Sequence, residues 1–142
     1  MHTAKTITWV ESTAAEGATF WEKLGPLATD ASVAKELGSG VVNTARHRWL
    51  FGMDGDEVVA MAALAAPAKD GDPAWIDMAY VRPANRRDGL WTEMFNRRMA
   101  MAAAAGYSRV RVCTRVLAQR LTAEGFAVYR QAGSWSYMEK AI

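Results

Sequence analysis

A chain of 142 residues with a hydrophobic fraction of 51% carries enough apolar surface for its own core, which excludes a disordered tail. Its net charge of +2 argues neither for nor against an anionic partner, because a local patch can bind phosphate without a large global charge. One cysteine, Cys113, and two histidines, His2 and His47, exclude a disulfide framework and a structural zinc centre of several cysteines. No metal is expected. There is no long uncharged apolar run and no signal-peptide core, so the expected setting is cytoplasmic and reducing, with no membrane contact.

Lys5 to Val10 is β-branched and aromatic and reads as a strand. Thr13 and Glu16 have capping-box spacing, which predicts a helix to about Leu24 with Phe20, Trp21 and Leu24 on one face. Gly25-Pro26 should end it. Asp30 is placed to cap a second, short helix through Val33 and Leu37, closed by Gly38. Gly38 to Thr44 reads as a connector of small and polar residues. Arg46–Phe51 and Glu57–Ala65 are strands around Asp54-Gly55-Asp56, a strong hairpin signal. A second turn region, Ala66–Pro73, leads into a strand at Trp75–Val81, so an antiparallel meander is expected.

The stretch that follows carries the chemistry. Pro83 blocks the strand, and a polar turn, Ala84-Asn85-Arg86-Arg87-Asp88-Gly89, opens onto a long helical pattern. The first turn of a helix has free backbone N–H groups and a dipole that favours an anion. Arg86 and Arg87 add charge, and Gly89 permits close approach. On a helical wheel Leu90, Trp91, Met94, Phe95, Met101, Ala102 and Ala105 share one arc. Arg98 falls inside that arc. Its expected explanation is a stem that snorkels to solvent, with pairing to a buried acid such as Asp77 as the alternative. Gly106 suits the helix end, Arg109–Thr114 alternates as a strand, and Leu117–Glu124 reads as a short helix before Gly125. Phe126–Gln131 and Ser134–Glu139 form a last hairpin. With no repeat and no linker, the expectation is a single α/β domain over residues 1–142, with a mixed, mostly antiparallel sheet of about six to seven strands and about four helices.

This order of elements resembles the GNAT superfamily of acyl-CoA-dependent N-acyltransferases. The most specific part is Val81-Arg82-Pro83-Ala84-Asn85-Arg86-Arg87-Asp88-Gly89-Leu90-Trp91, where Val81, Pro83, Arg86 and Gly89 fall in register with the family's turn pattern. Ala118 and Gly125-Phe126 match its later helix and strand. The resemblance implies an acetyl-CoA or related acyl-CoA co-substrate. Its pyrophosphate would be held by backbone N–H groups from Arg87, Asp88, Gly89, Leu90, Trp91 and Thr92, with Arg86 at the start of the loop. Its pantetheine arm would be held by the backbone from Ala79 to Val81. The acceptor would be an amine.

The sequence departs from the pattern at three places. Trp91 stands where a small residue is usual, and its helical phase puts it in the core beside Phe95. Leu121 stands where a tyrosine usually protonates the thiolate, and Arg115 lies near the place of a usual Asn. Asp88 would have to face away from the helix start for the phosphate site to work. Asp77, the acid on the strand before the turn, is the candidate base; it shares a face with Trp75 and Ala79 by alternation. Tyr80, Tyr129 and Tyr137 are candidate proton donors by type. Cys113 reads as a small buried residue rather than a nucleophile.

Three readings follow from this. The first is an acetyltransferase acting by direct transfer. The second is a catalytically inactive GNAT-like module that binds a ligand or partner. The third is an enzyme modifying a nucleobase amine, suggested by arginine clusters with aromatic residues between them but disfavoured by the low net charge and the lack of a binding motif. Oligomeric state stays open, a homodimer being one option.

Overall fold

The computed structural model describes residues 6–142. Lys5, the first residue of the expected N-terminal strand, lies outside them, as does His2. Strand β1 is Thr8–Ser12. The Thr13–Glu16 box forms, but over a single 3₁₀ turn, and Gly17 then breaks the path at φ +72° before α1 begins at Ala18. Helix α1 (Ala18–Ala28) runs through Gly25-Pro26 rather than ending there. Proline removes one hydrogen bond in the last turn, and burial of Leu24 and Leu27 on the core face holds the turn in place. Helix α2 (Ala31–Leu37) is capped by the Asp30 carboxylate, which accepts from the Ser32 N–H at 2.9 Å, and is closed by Gly38 in the left-handed region.

Strands β2 (His47–Asp54), β3 (Glu57–Ala65) and β4 (Ala74–Val81) form the antiparallel meander. Helix α3 (Leu90–Ala104) crosses over to β5 (Arg109–Thr114), which lies parallel to β4. The short α4 (Ala118–Ala123) precedes the hairpin of β6 (Ala127–Ala132) and β7 (Trp135–Ala141). The described strands make one mixed sheet in the order β1-β2-β3-β4-β5-β7-β6, antiparallel except at β4–β5. This seven-stranded sheet with four α-helices is the α/β fold expected from the sequence.

Helices cover both faces. Phe20, Leu24, Leu27 and Val33 of α1 and α2 pack on Trp49, Phe51, Met61 and Tyr80. On the other face Leu90 and Met94 of α3 pack on Leu50, Ala60, Ala62 and Val81. Farther along, Phe95 and Met101 meet Leu64, Ile76, Val110 and Phe126. This double covering explains why β3 is buried along nearly its whole length, with no polar alternation. None of the described helices is long and apolar enough to cross a membrane.

A bulge re-aims β4. Ala63 pairs with Asp77 but Met61 pairs with Tyr80, so one extra residue is inserted, and Met78 takes φ +56°. The insertion changes which residues share a face. Met78 packs with the α1/α2 core, whereas Ala79 packs with the α3 core. The simple alternation that placed Ala79 beside Asp77 is therefore corrected by the bulge.

Candidate active site

Beside the bulge, β4 and β5 part company. Their pairing is limited to Ala74↔Val110 and Trp75↔Arg111. Beyond that point a cleft of about 1180 Å³ opens, walled by Asp77 to Val81 of β4 and by Val112 to Thr114 of β5. The carboxyl end of a parallel strand pair is where α/β folds place ligands, because helix N-termini point there and no strand fills the gap.

Helix α3 starts at the mouth of this cleft. Its N-cap is Gly89, at φ +75°, with no side-chain cap bond, so the first N–H groups are left without a side-chain acceptor. A Cβ built on Gly89 would meet nothing within 4 Å, which leaves open space over the backbone. Asp88 is exposed and makes no hydrogen bond or ion pair among the described residues, so it does not cap the helix. Arg87 is exposed at φ +74°. Arg86 is committed elsewhere. Its Nε donates to the Val81 carbonyl at 2.9 Å, and its terminal nitrogen to both Glu36 oxygens at 2.7 and 2.5 Å. The Glu36 hydrogen bond, first among several causes, holds the guanidinium above its ordinary pKa. Arg86 thus ties α2 to the end of β4. Around the helix start, Thr92 accepts from Arg120 of α4, whose guanidinium also lies 4.2 Å over the Trp91 ring. Arg120 brings a further cation to the first turn of α3. No spacing in the sequence relates it to that turn.

Trp91 is partly buried against the α3 core rather than wholly inside it. Its ring stacks on Phe95 at 5.4 Å with 7° between planes, and its other side reaches the cleft. Leu121 is fully buried beneath the same wall.

Asp77 lies in the cleft with a polar neighbour from 30 residues earlier. His47 Nε2 is 3.3 Å from Asp77 Oδ2, while Oδ1 is buried without a hydrogen-bond partner. His47 Nδ1 accepts from the Thr44 N–H at 3.1 Å and lies 2.8 Å from the Thr44 hydroxyl. Behind the strand, Arg98 is 2% exposed and does not snorkel. It donates to the Ala63 and Asp77 carbonyls, each at 3.3 Å, and to the Met94 carbonyl of its own helix. Those carbonyls belong to the residues flanking the bulge, where the regular ladder is interrupted, so the guanidinium supplies the missing donors. Burial lowers its pKa to about 10, with the Asp77 carboxylate opposing the shift, so it is cationic at neutral pH. The sequence alternative of a link to Asp77 is met at the Asp77 carbonyl rather than by a carboxylate ion pair.

Tyr80 is buried under Arg86, whose Cζ lies 5.7 Å from its ring centroid, and it lines the cleft. Tyr137 lies opposite Cys113 in the β5–β7 pairing, and both line the cleft. Cys113 is half-buried, so it forms cleft wall rather than core. Tyr129 lies on the exposed strand β6, outside the cleft. Arg115 and Trp135 close the far rim, the guanidinium 4.9 Å over the indole. No group of three or more metal-ligating side chains occurs among the described residues.

The sequence model of the acetyltransferase (GNAT) family matches residues 11–128. No curated protein matches the sequence. Among solved structures, Escherichia coli ElaA is 19% identical with a TM-score of 0.74, over 95% of this chain and 99% of that one. An acyl-CoA N-acyltransferase from Pseudomonas aeruginosa is 16% identical with a TM-score of 0.76, over 96% and 100%. A GNAT family acetyltransferase from Elizabethkingia anophelis with acetyl-CoA bound is 11% identical with a TM-score of 0.63, over 96% and 98%. At these identities the likeness is one of fold.

Proposed function

The chain belongs to the acetyltransferase (GNAT) family, and from that premise we propose that residues 1–142 act as one domain that transfers an acetyl group from acetyl-CoA to an amine. The observation that carries this reading is the splay between β4 and β5, which opens onto the uncapped start of α3 and holds an under-bonded carboxylate, Asp77. The residues present fit an acyl-CoA. Its pyrophosphate would lie against the backbone from Arg87 to Thr92, with Arg120 as a neighbouring cation. Its amide-bearing arm would lie along Ala79 to Val81, where β4 has no strand partner on the β5 side. When bound, it would supply an activated thioester.

The protein's own part is proton handling and orientation. An alkylammonium is not a nucleophile, so Asp77 takes one proton to give the neutral amine. Amide formation would leave the nitrogen one further proton to lose and the thiolate one to gain, and Tyr137, Tyr80 or water would relay it, giving one proton and taking the other so as to end unchanged. Asp77 then returns its proton to solvent. Arg98 stays behind the strand and holds the Asp77 backbone, not the reacting atoms.

Nucleic acid is a weaker reading. Arg82, Arg86, Arg97, Arg109 and Arg111 face Glu57, Glu36, Glu93 and Glu139, so much of the basic surface is compensated.

Calorimetric titration with acetyl-CoA tests the cofactor, and thiol release across an amine panel tests the chemistry. Binding with turnover of at least one amine is expected. No heat at millimolar acetyl-CoA would remove the reading. Binding without turnover on any amine would favour a binding module.

A further inference from the structure

We propose that His47 is the positioning residue for Asp77: pinned by Thr44 as the Nε2–H tautomer, it fixes the carboxylate that receives the acceptor amine's proton. The inference deepens the acyltransferase reading and rests on it.

The geometry assigns the tautomer. A backbone N–H can only donate, and the Thr44 N–H points at His47 Nδ1 from 3.1 Å. Nδ1 must therefore be the bare, accepting nitrogen. The Thr44 hydroxyl, 2.8 Å from the same atom, then donates to it as well, while accepting from the Arg46 N–H at 3.2 Å. With Nδ1 bare, a neutral imidazole carries its proton on Nε2. That proton faces Asp77 Oδ2 at 3.3 Å. One ordered chain results, from the Arg46 N–H through the Thr44 hydroxyl and the imidazole to the carboxylate.

The turn that builds it is local. His47 N–H donates to the Thr44 carbonyl at 3.1 Å, so the imidazole and its two donors are held within four residues. The ring is 6% exposed and stacks on Trp49 at 6.1 Å, which limits its rotation.

This arrangement has a chemical consequence. Nε2 already holds a proton, so His47 cannot accept one from Asp77 without surrendering the Thr44 bonds at Nδ1. It is an orienter and not a relay. The ring engages one lone pair of Oδ2 and Oδ1 is buried, so an acceptor reaches the Asp77 carboxylate, whose side chain is 34% exposed, at the remaining lone pair of Oδ2. The proton taken from the amine must leave through the cleft side. The charged and titratable groups around the pair are Arg98 from α3, Arg46 and Arg48 beside the imidazole, Tyr107 across the small cavity behind it, and Cys113 and Tyr137 across the cleft.

The test combines a spectrum with kinetics. Imidazole nitrogen NMR of the whole protein, with His2→Ala removing the other histidine signal, reads the tautomer directly. A bare Nδ1 and a protonated Nε2 support the proposal, and a proton on Nδ1 overturns it, whether or not any amine turns over. In the thiol-release assay, His47→Ala should lower kcat about 10-fold or more and move the acid limb of the pH profile, with the KM for acetyl-CoA unchanged. His47→Gln, whose amide can still donate to Oδ2, should recover most of the loss. Equal kcat and pH profiles for His47→Ala and the unaltered protein would overturn the proposal while leaving the acyltransferase reading standing. Failure of the unaltered protein to bind acetyl-CoA would overturn both. Thermal unfolding of each variant separates lost folding from lost orientation, and an unfolded His47→Ala leaves the decision to His47→Gln and to the spectrum.

Discussion

Gly89 shows how one residue can shape a candidate site. It combines a left-handed φ of +75° with open space where a Cβ would lie. A side chain there is strained by roughly 1–2 kcal/mol and also fills the approach to the first N–H groups of α3. Gly89→Leu should therefore lower stability by about that amount and weaken acetyl-CoA binding by more than the strain alone explains. Calorimetry beside chemical denaturation would separate the two effects, and unchanged affinity would place the phosphate elsewhere. The neighbouring Arg86 carries a different lesson. Its charge suggests an anion ligand, yet its guanidinium is spent on Glu36 and the Val81 carbonyl. In this turn the backbone and Arg87 face outward, and Arg86 holds α2 against β4.

At the scale of an element, β4 decides the site. Its bulge inserts Met78, interrupts the ladder and turns the strand away from β5, and the cleft is the result. A bulge leaves main-chain groups in need of partners, and α3 answers with Arg98. Substituting Arg98→Met keeps the volume and apolar stem but strands the Ala63 and Asp77 carbonyls. Unpaired buried acceptors cost about 1–3 kcal/mol each, offset in part by relief from burying a cation. A net loss of roughly 2 kcal/mol is expected in urea unfolding, with a larger fall in turnover than in acetyl-CoA affinity because the Asp77 backbone moves. A variant as stable as the unaltered protein would show that the bulge holds without its guanidinium.

Across the whole molecule, the β5–β7 ladder fastens the hairpin of β6 and β7 to the rest of the sheet, and a cross-strand ion pair adds to it. Glu139 on β7 accepts from Arg111 at 2.6 Å and lies 3.5 Å from Arg109, both on β5. The Arg111 hydrogen bond, chiefly, holds the Glu139 carboxyl below its ordinary value of 4.5. A carboxylate with a lowered folded pKa adds stability that is fully present above the unfolded value. That stability is lost as pH falls through the folded value. Both partners are partly exposed, so the contribution is less than about 1 kcal/mol. Stability should therefore decline as the solution is acidified below about 4.5, and Arg111→Gln should flatten that decline while changing little at neutral pH. Denaturant midpoints measured across the acid range would show it, and parallel curves for the two proteins would refute the assignment.

By itself the sequence determined whatever depends on neighbours a few residues apart. Period-two and period-3.6 patterns, the Asp-Gly hairpin, the Asp30 cap and the glycine before α3 are local physics, and they led to the strands, the meander, the helices and the glycine start of α3. Boundaries slipped where burial outweighed a breaker, as at Pro26 in α1. The tertiary structure alone decided what depends on register. The bulge at Met78 moved Ala79 to the opposite face, and Arg98 went inward because the same bulge offered it acceptors. His47 met Asp77 because β2 and β4 flank β3 in one sheet, a meeting across 30 residues that no spacing along the chain records. A single inserted residue changes which side chains share a face, so the composition of the site follows from strand pairing and not from pattern.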